Sequence, residues 1–453
     1  MNIQALRLRN FRGFRDATLP LKPLTVLLGP NSSGKSSFGL ALAATAHCQR
    51  AQAGSQLPSL TPHGESEEWP IDLGTLYDLR KYGQEGRVYI EFQTTDGSVE
   101  LGFGELEPKK SDLILSFVSH PFRASPDRSD IKPLDKVLPD RNIVMNRTNE
   151  GTWWDETTGQ QASIQLDGLL VRSMQHLGST YFAPAEAQET LRLLFSTLSY
   201  LRATRMRPMR SYDDRVGKWQ ATGYAGEATA ALLQERGGER TSFLKPPPIP
   251  KSVEEAKTSL ERKWEDWQGT TIEAVSVWLQ HLGLATEVAS IRSPDNKRSV
   301  QVQVTLHRHQ PHDITEVGFG VSQVLPVLVQ GLMQPTSSLM IVDLPEAHLH
   351  PWPQARLADF FCSLVLSGRC ALIETHSEVF FHRLRLRAEM DKSLSDQIAV
   401  YFMDEPRDGD CTLPRQVGLA RSDQIRWPSG FLAEAWDTQK AINIIREGRG
   451  VRG

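Results

Sequence analysis

Residues Leu27 to Phe38 read LLGPNSSGKSSF. Apolar Leu24, Val26, Leu27 and Leu28 lead into the stretch, and SFGLALAATAHC follows it with a small-residue, apolar face. The spacing predicts a strand, a glycine loop and a helix in that order. Gly29 to Ser36 match the pattern GxxxxGK[ST]. Gly29 and Gly34 let the backbone of Asn31, Ser32 and Ser33 turn its N–H groups inward around phosphate oxygens. Lys35 would reach the β- and γ-phosphates, and Ser36 would hold Mg²⁺, with Ser37 beside it in the first helical turn. The helix N-terminus aims its positive dipole end at the same oxygens.

Working outward, the 453 residues make two to three domains' worth of chain, or one large head with an insertion. Hydrophobic content of 39% and charged content of 23% fit a globular protein. A net charge of −3 gives no global pull toward nucleic acid, so any DNA contact would need a local basic patch. Cys48, Cys362, Cys370 and Cys411 are scattered, which fits a reducing cytoplasm and argues against a zinc or disulfide framework. The opening MNIQALRLRNF alternates like a strand and lacks a signal-peptide core, and no run of 18 apolar residues could span a membrane.

Upstream of the loop, Ile3, Leu6, Leu8 and Phe11 suggest one strand, and TLPLKPLTVLLG a second strand pair. Downstream, VYIEFQTTDGSVELGF alternates around Asp96-Gly97, a hairpin signal. Residues from about 105 to 180 suggest short strands with loops, and LSYLRATR a buried strand. ATAALLQER, VEEAKTSLERKWEDW and TIEAVSVWLQHLG read as helices, with the Pro-rich KPPPIPK as a break. After a return to alternation over residues 286–308, helices and strands alternate to QIAVYFMDE. That order implies an α/β fold with a mostly parallel core sheet. The core opens at the N-terminus, is interrupted, and resumes after about residue 310.

SSLMIVD, ending at Asp343, is an apolar strand closed by an acid, which suits a carboxylate that bonds Mg²⁺ through water. LPEAHLHPW follows it. VDLPEAHLHP resembles the block "(D/E)xPExHLHP" of ABC-type ATPases in the overcoming-lysogenisation-defect, RecF and SMC-like group. LRLRNFRGFRDATLPL resembles that group's opening, VGFGVSQVLPVL its signature segment, and IETHSE its switch-histidine segment. IRWPSGFL resembles the ending of small AAA-type ATPases of the group found in prokaryotic defence loci.

The resemblance covers roughly residues 1–110 and 300–435. It implies an ABC-type ATPase head with an antiparallel β subdomain and an inserted helical subdomain. The expected divisions are 1–110 (P-loop, hairpin), 111–300 (inserted mixed and helical lobe), 301–435 (signature, acid strand, switch histidine) and a tail, 436–453. ATP and Mg²⁺ are the implied cofactors. Gly320, Ser322 and Gln323, with a helix beginning near Gln323, would cover the γ-phosphate held by another copy's P-loop, so that ATP pairs two heads. Gly318 and Gly320 would permit close backbone approach. His376 would contact the γ-phosphate or the attacking water, and His348 and His350 would follow the acid strand at the head–head interface.

One position departs from the group. Where typical members carry a general-base Glu after the strand acid, this chain has Leu344. Glu346 could serve only if the turn aims it back, so the expected catalytic set is Lys35, His376 and Glu346, with slow ATP hydrolysis. Gln84 is a weak Q-loop candidate. The arginine-rich stretch Arg202 to Lys218 could face DNA, an acidic partner, the nucleotide or plain solvent. Trp264, Trp267 and Trp278 suit helix packing better than base stacking. The tail's WPSGFLAEAW would dock on the head or contact another subunit. Three functional readings remain at this point. One is an ATP-paired ATPase in anti-phage defence acting on a separate effector, a nuclease by analogy. The second is a RecF-like DNA-repair ATPase, and the third a scaffold that binds nucleotide structurally.

Overall fold

The computed structural model describes residues 3–51, 79–80, 85–95, 97–104, 114–121, 123–124, 142–147, 152–156, 158–176, 179–182, 185–214, 221–252, 263–293, 298–306, 310–404 and 413–419. In chain order the first elements are β1 (Ile3–Phe11), β2 (Phe14–Pro20), β3 (Leu24–Leu28), α1 (Lys35–Ala51), β4 (Val88–Thr94), β5 (Gly97–Gly104), β6 (Ile114–Pro121), β7 (Arg123–Ala124), β8 (Asn142–Arg147), β9 (Trp153–Asp155), β10 (Gln161–Asp167), β11 (Leu170–His176) and β12 (Ser179–Phe182). Next come α2 (Ala185–Thr197), β13 (Ser199–Leu201), β14 (Tyr212–Asp213), α3 (Thr229–Arg236), β15 (Arg240–Lys245), β16 (Glu265–Thr270), α4 (Thr271–Leu282), β17 (Glu287–Arg292), β18 (Ser299–Thr305) and β19 (Pro311–Asp313). The rest are α5 (Phe319–Met333), β20 (Leu339–Asp343), α6 (Pro351–Leu366), β21 (Cys370–Thr375), α7 (Glu378–Met390), α8 (Lys392–Ser395), β22 (Ile398–Phe402) and β23 (Arg415–Val417).

The fold is mixed α/β. Its centre is a sheet of order β13-β20-β21-β3-β22-β23, parallel except for the β22–β23 edge. Strands such as LTVLL, LMIVD and IAVYF are apolar but for Thr25 and the terminal Asp343, and wholly buried, as parallel strands covered on both faces must be. Alternate residues divide between two cores. Leu27, Ile341, Leu372 and Tyr401 pack with α1 and an antiparallel sheet that includes Leu8, Ile90 and Leu101. Val26, Val342, Ile373 and Val400 pack with Trp278, Val324, Phe360 and Phe380 on the helical side.

The antiparallel sheet has the order β2-β1-β4-β5-β6-β8-β9-β10-β11-β12-β7. The Asp96-Gly97 signal is met by the β4–β5 hairpin, which closes with Thr94 opposite Gly97. β5 and β6 lie on either side of the boundary expected at residues 110/111, yet they pair, with Glu100 opposite Ser119. The antiparallel layer is therefore continuous there. Among the described residues, the helices of the middle stretch, α2 to α4, begin at Ala185.

Two local expectations are corrected. β2 and β3 are not partners, since β2 pairs with β1 while β3 enters the parallel sheet. The burial of FRDATLP varies along the strand, so it suits a sheet with one wet face, whereas LTVLL is buried throughout. ERKWEDW was expected within a helix, but Glu265–Thr270 is strand β16, paired with β15. Thr270 and Glu273 form a capping box that starts α4 at Thr271, which leaves the preceding residues extended. Trp267 stacks on Phe243 with ring centroids 4.7 Å apart, and Trp278 tilts on the same ring at 5.2 Å, so both are packing residues. Gln84, IRWPSGFL and the tail lie outside the described residues. Among the described residues no helix is long and apolar enough to cross a membrane.

Candidate nucleotide site

The C-terminal ends of β3, β21 and β20 form one rim, and the motif residues meet there. β21 lies between the P-loop strand and the acid strand, with Glu374 in register with Asp343 on one side and Leu27 on the other. The loop from Gly29 to Gly34 leaves β3, and α1 starts at Lys35. Gly29 has φ +144°, and a Cβ there would collide with the Met403 carbonyl, so only glycine fits. Lys35, only 2% exposed, rests its ammonium 2.5 Å from the Pro30 carbonyl, 3.3 Å from Ser33 Oγ and 3.8 Å from Glu374. Burial pushes this ammonium below its ordinary value, while Glu374 and Asp343 pull the other way.

Asp343 ends β20 in a buried position. Burial, together with neighbouring Glu374, raises its carboxyl from 3.8 to about 7. Tyr200 on β13 donates its hydroxyl to Asp343 Oδ2 at 2.5 Å. Arg205 is buried and donates to the carbonyls of Asp343 (2.8 Å) and Leu344 (3.3 Å), and its own pKa falls to about 10 through burial. Leu344 itself sits at φ +45°.

Glu346 Oε1 accepts from the Thr375 hydroxyl (2.6 Å) and the His376 N–H (2.9 Å). Its Oε2 and that of Glu374 are buried without a hydrogen-bond partner. His376 Nδ1 lies 2.8 Å from the Gly29 carbonyl, which requires the proton on Nδ1. His376 thus touches the first residue of the glycine loop, and Glu346 holds its backbone.

The signature segment is displaced from expectation. α5 begins at Phe319 rather than near Gln323, with Gly318 as its N-cap. Ser322 is buried and donates to the Phe319 carbonyl at 2.7 Å, and buried Gln323 donates to the Met206 carbonyl at 3.2 Å. The exposed end of the helix is instead Gly318 and Phe319. Gly320 is held where an added Cβ would lie 2.9 Å from the His348 carbonyl, so the signature turn packs on the loop after β20. His348 meets Phe319 edge-on, and His350 caps α6. Among the described residues no group of three or more His, Cys, Asp and Glu is placed to hold a metal ion by itself. The arginine-rich stretch divides: Arg205 turns inward, while Arg210 is exposed and pairs with Glu316 at 3.2 Å.

Sequence reasoning missed Tyr200, Arg205 and Glu374. Only Glu374 left a local trace, as the acid two residues before His376. A buried lysine in a glycine loop, facing two carboxylates, can hold a polyphosphate with a divalent cation. The Ser36 hydroxyl and Asp343 carboxylate are the hard oxygen donors that Mg²⁺ prefers.

A family model described as "AAA domain, putative AbiEii toxin, Type IV TA system" matches residues 24–381, more than half of the chain. The chain belongs to this AAA-domain family. The match runs from the P-loop strand to the first turn of α7 and so takes in every residue of the rim described above. No curated protein matches the chain. Among solved structures, the SMC head domain from Thermotoga maritima is similar at 9% identity and a TM-score of 0.36, covering 92% of this chain and 99% of that one. An SMC head bound to the C-terminal winged-helix domain of ScpA gives 12% identity, a TM-score of 0.39 and coverage of 92% and 99%. An SMC head with extended coiled coil from Pyrococcus furiosus, bound to the C-terminal domain of ScpA, gives 10%, 0.43 and 99% of both chains. Likeness at this level says nothing about what the present chain binds.

Proposed function

We propose that this AAA-domain protein is an ABC-type ATPase that binds MgATP at the rim of β3, β21 and β20, hydrolyses it slowly, and pairs with a second copy while ATP is held. The observation that carries the reading is the convergence at that rim. Lys35 of the phosphate loop faces Glu374 at 3.8 Å, Glu374 is in register with Asp343, and His376 contacts Gly29 at 2.8 Å. Lys35, the loop from Gly29 to Gly34, and Ser37 would hold the phosphates. Ser36 and Asp343 would hold Mg²⁺, which supplies charge neutralisation at the β- and γ-phosphates when bound. His376 is placed to sense the γ-phosphate, and two acids, Glu346 and Glu374, flank Asp343.

The exposed Gly318–Phe319 end of α5, with Gly320, Ser322 and Gln323 behind it, is the surface that would cover the nucleotide of another copy. Mass measurement of the full chain with and without MgATP tests this. Association with ATP and return to monomer after hydrolysis are expected, and an unchanged mass under all nucleotide conditions would sink the pairing. The downstream role we favour is control of a separate effector of nuclease type in anti-phage defence, a reading that rests on the motif resemblance alone. A duplex-DNA role has less support, because Arg205 is spent on the acid-strand turn and the net charge is −3.

Tyr200 gives a test of the metal site. Its hydroxyl lowers the Asp343 pKa, so Tyr200→Phe moves that carboxyl further above 7 and leaves more of it protonated at neutral pH. A hydrogen bond to a charged group is worth about 1.5–3 kcal/mol. The variant should therefore need roughly tenfold more Mg²⁺ to bind ATP at about pH 7. The gap should narrow near pH 9, where both proteins ionise Asp343. Identical Mg²⁺ titrations at neutral pH would remove Asp343 from the metal's coordination.

A further inference from the structure

Two carboxylates of the rim keep a buried oxygen without a hydrogen-bond partner, Glu346 and Glu374, and their surroundings differ. The other oxygen of Glu346 is occupied by the Thr375 hydroxyl and the His376 N–H. Both donors belong to the loop that presents the switch histidine, so Glu346 fastens the turn after β20 to that loop. Arg205 holds the same turn from behind through the Asp343 and Leu344 carbonyls. Leu344, between Asp343 and Glu346 in sequence, has no group that can take a proton.

Glu374 makes no such structural bonds. It lies on the strand inserted between the phosphate-loop strand and the acid strand, directly in register with Asp343. Side chains in register on adjacent parallel strands emerge on the same face. Glu374 Oε1 faces the Lys35 ammonium at 3.8 Å, and Oε2 is unpartnered. The group it faces is the one that a triphosphate would engage.

We propose that Glu374 is the catalytic carboxylate that orients and deprotonates the attacking water, a role for which Leu344 is unfit, and that Glu346 is a positioning residue. The assignment rests on the ATPase reading. In the step, the water oxygen bonds to the γ-phosphorus while the bond from that phosphorus to the β–γ bridging oxygen breaks. The bridging oxygen leaves on ADP with the electron pair. Glu374 accepts one proton of the water and returns it to solvent as phosphate departs.

The test compares wild type with Glu374→Gln, Glu374→Asp and Glu346→Gln, all as full chains with unaltered melting curves. Bound ATP is followed in a single turnover, and the lifetime of the ATP-associated form is followed by mass. Glu374→Gln should bind ATP within about threefold of wild type. It should cleave the nucleotide about 10²–10⁴-fold more slowly, the usual worth of a general base, and should stay associated long after wild type has separated. Glu374→Asp keeps a proton acceptor and should recover part of the rate. Glu346→Gln retains an oxygen for Thr375 and His376 and should lose less than tenfold. Cleavage by Glu374→Gln at the wild-type rate, or a stall only in Glu346→Gln, would overturn this assignment while leaving the ATPase reading intact. A wild-type protein that binds no ATP, indistinguishable from Lys35→Ala, would overturn both.

Discussion

Replacing Asp359 by alanine is expected to lower folding stability by about 3–5 kcal/mol, the cost of stripping one partner from a buried ion pair. Asp359 is fully buried on α6. Arg383 donates to it at 2.8 and 2.6 Å, Arg387 at 2.7 Å, and His281 Nε2 lies 2.9 Å away. These partners come from α7 and α4, so one carboxylate ties three helices of the outer layer together. Arg387 is 2% exposed, and without Asp359 its charge would be left with the Pro247 carbonyl at 2.7 Å and little else that is polar. Chemical denaturation would check this, and a loss below about 1 kcal/mol, the range of exposed pairs, would show that the helices do not depend on the pin.

The same residue sets an acid limb. Burial alone would raise the Asp359 carboxyl, but hydrogen bonds from His281, Arg383 and Arg387 overcome it and hold the group well below the carboxylate range. A lowered carboxylate contributes stability that is present above its ordinary value of 3.8 and is lost as pH falls below it. Asp343 has the opposite sign. Raised from 3.8 to about 7, it contributes stability at low pH that disappears as pH climbs through 7. The Asp359→Ala variant should therefore lose the acid limb and keep the neutral one.

The second large effect concerns Lys35→Ala. The ammonium lies within the phosphate loop at 2.5 Å from the Pro30 carbonyl, so the resting loop already has the curl that phosphates need. A hydrogen bond to a charged group is worth about 1.5–3 kcal/mol, roughly 10–100-fold in affinity. ATP affinity in a nucleotide titration should fall by about that factor, and phosphate release and ATP-linked association should vanish with it. A Lys35→Ala protein that binds ATP within threefold of wild type would place the nucleotide somewhere other than this loop.

The parts legible in the sequence were those whose function needs a fixed local pattern. The glycine loop, the acid at the end of β20 and the Thr-His pair at the end of β21 each combine an apolar strand with a polar end. Their side chains meet because parallel strands all present the same end to one rim. Tyr200 and Arg205 were not legible, because they reach Asp343 across the sheet from a segment far away in sequence, and nothing beside them marks the contact. The arginine-rich stretch misled for the same reason: composition cannot tell a buried clamp on backbone carbonyls from an exposed cation. The reading of VEEAKTSLERKWEDW as one helix fails over Glu265, Asp266 and Trp267, which are strand, because a charged, periodic pattern does not show where the Thr270 cap starts the next helix; VEEAKTSLER lies outside the described residues. The start of α5 was placed four residues late because Gly318 and Gly320 looked like a turn, whereas Gly320 lies inside the first helical turn, pressed on His348.

The central sheet has consequences beyond holding the rim. Leu27 and Val26, or Ile341 and Val342, are sequence neighbours gripped by different cores. Close-packed interiors do not stretch by small amounts. A strand held on both sides cannot slide or tilt by itself, so a rearrangement begun at its phosphate end is forced outward as a rigid displacement of both layers together. The antiparallel sheet, joined to the parallel strands through one shared core, would then shift together with the helical layer rather than independently of it.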